Sequence, residues 1–207
     1  MPTYTPRLTS TGMAGSNYWY NNNYNPFYPT YGLPNCTCYA WGRMYEFQGF
    51  RPSGLYTGDA GTWWYNATYQ HGSVPKLGAC ICFSGGPYSG RGHVAIVEKI
   101  YSDGSILFSN SGYTRDPRYI SSLYFYLRCA SPADNFQTGL HGYSGYAGYT
   151  FQGFLYSPID FDPDIDPGEP PTPGPGPQPD PGGEYPTKLI LYKQLIDTHS
   201  PTMAREQ

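Results

Sequence analysis

Residues 162–183 read DPDIDPGEPPTPGPGPQPDPGG. Proline has no backbone N–H to give a helix or a sheet, and the run has almost no apolar side chain to bury. It is expected to be an extended, semi-rigid linker covering 159–183. That confines the folded part of the chain to residues 1–158, one domain of ordinary size with room for a real core. The remaining stretch, 184–207, reads EYPTKLILYKQLIDTHSPTMAREQ and is too small to fold alone. Its KLILYKQLI is either one strand or one short helix.

Within 1–158 the pattern changes along the chain. Residues 1–33 are turn-rich and irregular. A helix is expected from Cys36, because residues 36, 40, 44 and 47 are apolar or small and share one face. A second, short helical stretch is expected near GDAGTWW (58–64). Strands follow at 78–84, 93–100, 105–110, 123–128 and 149–157, each short, rich in β-branched and aromatic residues and bounded by Gly, Pro, Asp or Ser. Asp103-Gly104 between two of them signals a hairpin. Helices first and antiparallel strands after give an α+β domain, with N-terminal helices packed on an antiparallel sheet of about five to six strands.

Composition excludes several functions. Aromatic residues make up 18% of the chain, 23 of them Tyr, and charged residues only 13%. A surface rich in Tyr, Asn, Gly, Ser and Thr suits a neutral or sugar-like polymer, although a Tyr-rich composition also simply marks a β-rich fold. The formal net charge of −3 argues against a phosphate backbone as partner, so no nucleic acid is expected. No apolar run reaches membrane-spanning length, so no membrane insertion is expected. The first 25 residues lack a charged stretch followed by an apolar one, so no signal peptide is expected either.

Four of the five cysteines fall in two C-x-C pairs, Cys36/Cys38 and Cys80/Cys82. Zinc knuckles use a longer C-x2-4-C spacing whose turn lets two sulfurs converge. On a helix, Cys36 and Cys38 point about 200° apart, and "ACICF" reads as a strand. Zinc is therefore not expected, and Cys80 and Cys82 read as small core residues. A Cys38–Cys80 or Cys38–Cys82 disulfide is the alternative fate of these sulfurs. A nucleophilic cysteine needs a stabilised thiolate, a base and a group that orients the base. Cys36 follows Pro34-Asn35 at a helix start, where unpaired N–H groups favour the thiolate. Of four histidines, His93 opens a strand, and Asn110 ends the strand hairpinned to it. An Asn carbonyl there fixes the imidazole tautomer, as in Cys-His-Asn enzymes. The plainer readings are a His satisfied at a strand end and an Asn that starts the turn NSGY.

Several segments in order resemble one family, the CHAP domain (cysteine, histidine-dependent amidohydrolase/peptidase) of phage lysins and bacterial wall hydrolases. NCTCYAWGR resembles its Cys-Thr-Trp-Tyr-Ala-Trp-Gly-Arg run, with Cys38 where Trp is usual. GDAGTWW resembles its Gly-Asn-Ala-x-x-Trp segment. PKLGACICF, RGHVAIVEKI, ILFSNSGY and YTFQGFLYSP resemble its successive strands, with Asn110 where Glu is common. The resemblance covers about residues 31–158.

It implies a papain-like fold of the NlpC/P60 type and a cysteine-dependent peptidoglycan amidase (N-acetylmuramoyl-L-alanine amidase) or endopeptidase. Cys36 is then nucleophile, His93 general base and Asn110 orienter. Asn35 stands where Gln is usual and is the oxyanion or positioning residue. Replacing Glu by Asn110 removes a charge beside the imidazole, so a less basic His93 is expected. Trp63, Trp64, Tyr113 and the tyrosines at 143–149 are candidates for the substrate groove, with core burial the rival role for Trp63. Calcium is not expected, because no Asp-x-Asp precedes Cys36; no cofactor is expected at all. The implied setting is a phage endolysin or virion-associated lysin acting on a Gram-positive wall, held in the host cytoplasm before holin-mediated release or carried in a virion. Segment 184–207 would then be the start or remnant of a wall-binding or assembly module, through which copies associate. The alternative is a non-catalytic wall-binding or virion structural module on the same fold.

Overall fold

Asn35 starts the longest helix among the described residues, α1 (Cys36–Gln48). Its backbone is extended (φ −165°, ψ 132°) and its side-chain oxygen accepts from the Cys38 N–H, which satisfies one of the orphan donors of the first turn. Gly49 closes the other end, its N–H bonding the Tyr45 carbonyl. The structure is a computed structural model. It describes residues 2–11, 13, 20, 24–86, 89–113, 124–136, 148–161 and, for the backbone, 165–166.

After α1 come a 3-10 turn (Ala60–Thr62), a short helix α2 (Trp63–Asn66), and the strands β1 (His71–Gly72), β2 (Cys80–Gly85), β3 (His93–Tyr101), β4 (Ile106–Asn110), β5 (Tyr126–Ala130), β6 (Tyr149–Leu155) and β7 (Ile165–Asp166). They form one sheet in the order β1-β6-β2-β3-β4-β5, antiparallel throughout, with β7 added in parallel at the end of β3. The chain is thus α+β, as expected. The Asp103-Gly104 hairpin joins β3 to β4, closed by the Tyr101 N–H to the Ser105 carbonyl (2.8 Å).

Two expectations shift. The strand expected at 123–128 runs instead over Tyr126–Ala130, because pairing with β4 continues to Ala130 opposite Ile106. The expected linker does not begin free of the domain, since Ile165 and Asp166 pair with Ile100 and Tyr101. Residues 167–207, which hold the rest of the expected linker and all of 184–207, lie outside the described residues.

The sheet is buried on both faces, which explains why β2 reads as a continuous apolar run rather than an alternating one. Cys80, Cys82, Val94 and Ile96 pack against Cys36, Ala40 and Met44 of α1. Ala79, Ile81, Phe83, Ala95 and Val97 point the other way, towards Phe136, Tyr149 and Phe154. Cys80 and Cys82 are therefore core residues of one strand face, and all five cysteines are buried free thiols. Helix α1 is covered on its outer side too, by Met13, Tyr20 and Phe27. That explains why it is buried nearly all round from Cys36 to Met44.

A buried ion pair locks α1 to β3. Arg43 lies two turns along the helix from Cys36, and Glu98 lies on the helix-facing side of β3 with Val94 and Ile96. Arg43 Nε and Nη2 donate to Glu98 Oε1 and Oε2, both at 2.9 Å. Glu98 also accepts from Tyr4 Oη (2.8 Å), the Arg7 N–H (2.7 Å) and Ser109 Oγ (2.6 Å). Tyr39 of α1 donates to Ser109 Oγ (2.7 Å), tying β4 into the same set. The irregular N-terminal segment is thereby fastened at Tyr4 and Arg7, and Arg7 makes a second ion pair with Glu46. Removing one partner of such a pair strands the other charge in the core. Glu98→Gln is therefore expected to lower the free energy of unfolding by about 3–5 kcal/mol, measured by denaturant melting, whereas Lys76→Gln, which breaks an exposed pair with Asp160, should change it by less than about 1 kcal/mol.

Candidate active site

The start of α1 and the start of β3 meet at one cleft of about 530 Å³. Cys36, Asn35 and Thr37 enter it from the helix, His93 from the strand, and Tyr31, Tyr113 and Tyr149 from loops and β6. Cys36 is the first residue of the helix. The backbone N–H groups of Val94, Thr37 and Cys36 itself are directed at its sulfur and favour the thiolate, the effect expected of a helix start. Burial acts against them and wins, pushing the thiol up to about 11. Cys38, two residues on, points elsewhere and donates to the Tyr20 carbonyl (3.3 Å).

His93 is buried, with its ring centroid 5.8 Å from that of Tyr149. Burial is the first cause that lowers it, to about 4; the Asn110 hydrogen bond works the other way and nearby Arg128 adds to the lowering. The imidazole and the thiol are thus both neutral at rest. Asn110 Nδ2 donates to the Tyr126 carbonyl (3.1 Å), which leaves Oδ1 to face His93 Nε2 at 2.7 Å. An amide oxygen can only accept, so Nε2 carries the hydrogen and Nδ1 holds the lone pair. Asn110 is fully buried at the end of β4, held on one side by β5 and on the other by the ring it orients.

Asn35 is committed through Oδ1, which takes the Cys38 N–H (2.8 Å) and the Thr37 hydroxyl (2.6 Å). Its backbone N–H donates to Ser111 Oγ, so the turn before Cys36 is fastened to the chain just past Asn110. Tyr113 does line the cleft, with its ring set edge-on to Tyr31 at 6.2 Å. Trp63 does not. It is fully buried, packs on Phe27 at 5.9 Å and donates to the Gly58 carbonyl, so it is core rather than groove wall. Trp64 packs edge-on against His71 at 4.6 Å and lies outside the cleft lining. Tyr143 and Tyr146 lie outside the described residues; Tyr149 lines the cleft.

The loop before the 3-10 turn forms another wall, with Asp59 facing Arg91 (Oδ1 to Nη1, 3.1 Å). It is fixed to the start of β3 by the Gly61 N–H to the Arg91 carbonyl (2.7 Å). Gly92, at φ +76°, permits this contact: a Cβ there would lie 2.3 Å from the Gly61 nitrogen and 2.4 Å from the Phe83 carbonyl oxygen. Among the described residues no group of three or more His, Cys, Asp or Glu side chains is arranged to hold a metal ion. No helix among them is long and apolar enough to cross a membrane.

Part of the sequence is similar to known proteins. Residues 18–112 match the CHAP domain family. The chain is 36% identical over 116 residues to a Staphylococcus aureus protein named Probable autolysin SsaALP, covering 55% of this chain and 40% of the relative. It is 43% identical over 82 residues to an N-acetylmuramoyl-L-alanine amidase domain-containing protein of the same species, covering 37% of this chain and 13% of that one. It is 34% identical over 86 residues to the protein named Probable autolysin LDP, also from S. aureus, covering 40% and 29%. The chain thus spans well under half the length of each of these relatives. A crystal structure of an N-acetylmuramoyl-L-alanine amidase from S. aureus matches with a TM-score of 0.38 at 28% identity, over 58% of this chain and 30% of that one. Cys36, His93, Asn110 and the segments around them lie within residues 18–112, the part of the chain that matches the CHAP domain family.

Proposed function

We propose that this domain hydrolyses amide bonds of bacterial peptidoglycan, with Cys36 as nucleophile, His93 as general base and Asn110 as the residue that orients it. The observation that carries the reading is the shared cleft: a helix-start thiol and a buried imidazole whose tautomer is fixed by a buried amide. A module that only binds the wall needs neither group. The autolysin and amidase names of the relatives support peptidoglycan as substrate and a Gram-positive wall as its source.

The resting pair is neutral, so attack and proton transfer are coupled. The substrate carbonyl enters beside Cys36; its sulfur attacks as His93 Nδ1 takes the thiol proton, while Asn110 holds the Nε2–H. The backbone N–H groups at the start of α1 face the developing oxyanion. Asn35, with Oδ1 in the helix cap, has only its Nδ2 donors to offer a substrate, which is the chemistry an oxyanion requires. The imidazolium then protonates the leaving amine. Water activated by His93 finally cleaves the thioester and restores the thiol.

The phage-lysin setting, drawn from the motif resemblance, remains part of the proposal, as does release through a holin or carriage in a virion. The names of the relatives support the wall substrate and not the phage origin. A holin gene beside this one would mark an endolysin, and virion structural genes a virion-borne lysin. Mass spectrometry of digested wall fragments identifies the bond cut: a free lactyl carboxyl on the sugar marks an amidase, and new peptide amino termini mark an endopeptidase.

Cys36→Ala should abolish clearing of purified walls while leaving the melting curve close to wild type. Equal clearing by both proteins would sink the enzyme reading in favour of the binding module. The neutral pair sets the pH behaviour. The kcat/KM acid limb should lie near pH 4, and the alkylation rate of Cys36 should climb towards a midpoint near 11. An alkylation plateau reaching down to acid pH would reveal a resting ion pair instead. Asn110→Asp should move the acid limb upward, because a carboxylate stabilises the imidazolium.

Stability follows the same histidine. Unfolded, it binds a proton near its ordinary 6.5; folded, only near 4. Between these values the unfolded state holds more protons, so this contribution is complete above about pH 6.5 and is lost as pH falls towards 4. It amounts to about 3 kcal/mol, and a His93→Gln variant should show a flatter acid limb in melting experiments.

A further inference from the structure

We infer that Arg91 reads a free carboxylate on the substrate's peptide near the scissile amide, and that Asp59 holds its guanidinium until that carboxylate arrives. The inference rests on the peptidoglycan-hydrolase reading above and adds what part of the polymer the cleft selects. Among the described residues the cleft, apart from Cys36 and His93, is lined by aromatic, small and neutral polar residues, and Asp59 and Arg91 are its Asp, Glu, Lys or Arg residues. A charged group of a substrate entering the cleft meets, among the described residues, these two charges.

The pair is built for exchange. It is a single contact at 3.1 Å, and its side chains are 59% and 52% exposed. An exposed pair of this kind adds little to stability, so opening it costs the fold little. Its backbone is not free to drift. The Gly61 N–H to the Arg91 carbonyl and the close Gly61–Gly92 approach clamp the Asp59 loop to the start of β3. Arg91 is two residues from His93, so the guanidinium keeps a fixed offset from the base. A guanidinium fork matches a carboxylate through two parallel N–H donors, and the Asp59 carboxylate provides a single such partner. When a substrate carboxylate takes its place, Asp59 is released to accept an amide N–H or ammonium of the same peptide.

The test uses the whole chain and two synthetic muropeptides that differ in one carboxyl group next to the scissile amide, free in one and amidated in the other. Wild type should prefer the free acid through KM rather than kcat. Arg91→Gln should raise KM for the free acid about tenfold, the scale of a charge-assisted hydrogen bond, and bring the preference close to one, with Arg91→Lys between. Asp59→Asn removes the internal competitor and should widen the preference by lowering the same KM. A purely structural role would instead lower kcat on both substrates alike. Preference retained in Arg91→Gln, or shifted in the same direction by both variants, overturns the inference. Hydrolysis of both substrates by wild type without preference overturns it alone. Hydrolysis of neither, with natural wall also left intact, overturns the hydrolase reading and this inference with it.

Discussion

The carboxylate of Glu98 is the point on which the rest of the domain is aligned. It takes five hydrogen bonds, two from Arg43 and one each from Tyr4, the Arg7 backbone and Ser109. A carboxylate without water needs that many donors, and an arginine without water needs that carboxylate. The geometry of the pair allows little slippage, because a guanidinium meets a carboxylate in one plane. Cys36 stands seven residues before Arg43 on the helix, and His93 five residues before Glu98 on the strand. Fixing Arg43 on Glu98 therefore fixes the helix of Cys36 against the strand of His93. The hydrophobic faces of α1 and β3 bring the elements together without choosing one register; the ion pair chooses it.

At the cleft, the backbone and the solvent pull in opposite directions. The N–H groups at the helix start favour a thiolate, and the near-complete exclusion of water favours a thiol. The imidazole is driven the same way, towards its neutral form. A buried ion pair would have to be maintained through the whole resting life of the protein, whereas a neutral pair leaves charge separation to the moment when a carbonyl oxygen is there to share it. Asn110 fits this arrangement better than a glutamate would. It orients the ring through an uncharged oxygen, which favours the imidazolium less than a carboxylate would.

Much of this was legible in the sequence, for physical reasons that differ from residue to residue. The helix start at Cys36 was readable because Asn35 caps by local chemistry, and the β3–β4 hairpin because Asp103-Gly104 is a local turn signal. His93 and Asn110 were readable because a hairpin places the start of one strand near the end of the next. Cys80 and Cys82 were readable as core because alternate residues of a strand share a face. What was not legible depends on distant partners. Arg43 and Glu98 look like ordinary solvated charges until the N-terminal segment covers them. Trp63 looks as much like a groove aromatic as a core one, and only its burial beside Phe27 decides. The end of β5 depends on where β4 begins, and Asp59 and Arg91 become neighbours through the Gly61–Gly92 contact.

The ligands of Glu98 are scattered along the chain, with Tyr4 separated from it by 94 positions and Arg43 by 55. During synthesis α1 can already pair Arg43 with its own Glu46, but the carboxylate that joins Arg43 to Tyr4 and the Arg7 backbone is still missing. Only when β3 and then Ser109 and Asn110 emerge can the carboxylate collect its donors and the imidazole its amide. The nascent chain thus acquires the Glu98 registration and the hydrogen-bonded His93–Asn110 pair in one late step. A chain that stops short of residue 110 holds Cys36 and His93 but lacks the amide that fixes the imidazole tautomer.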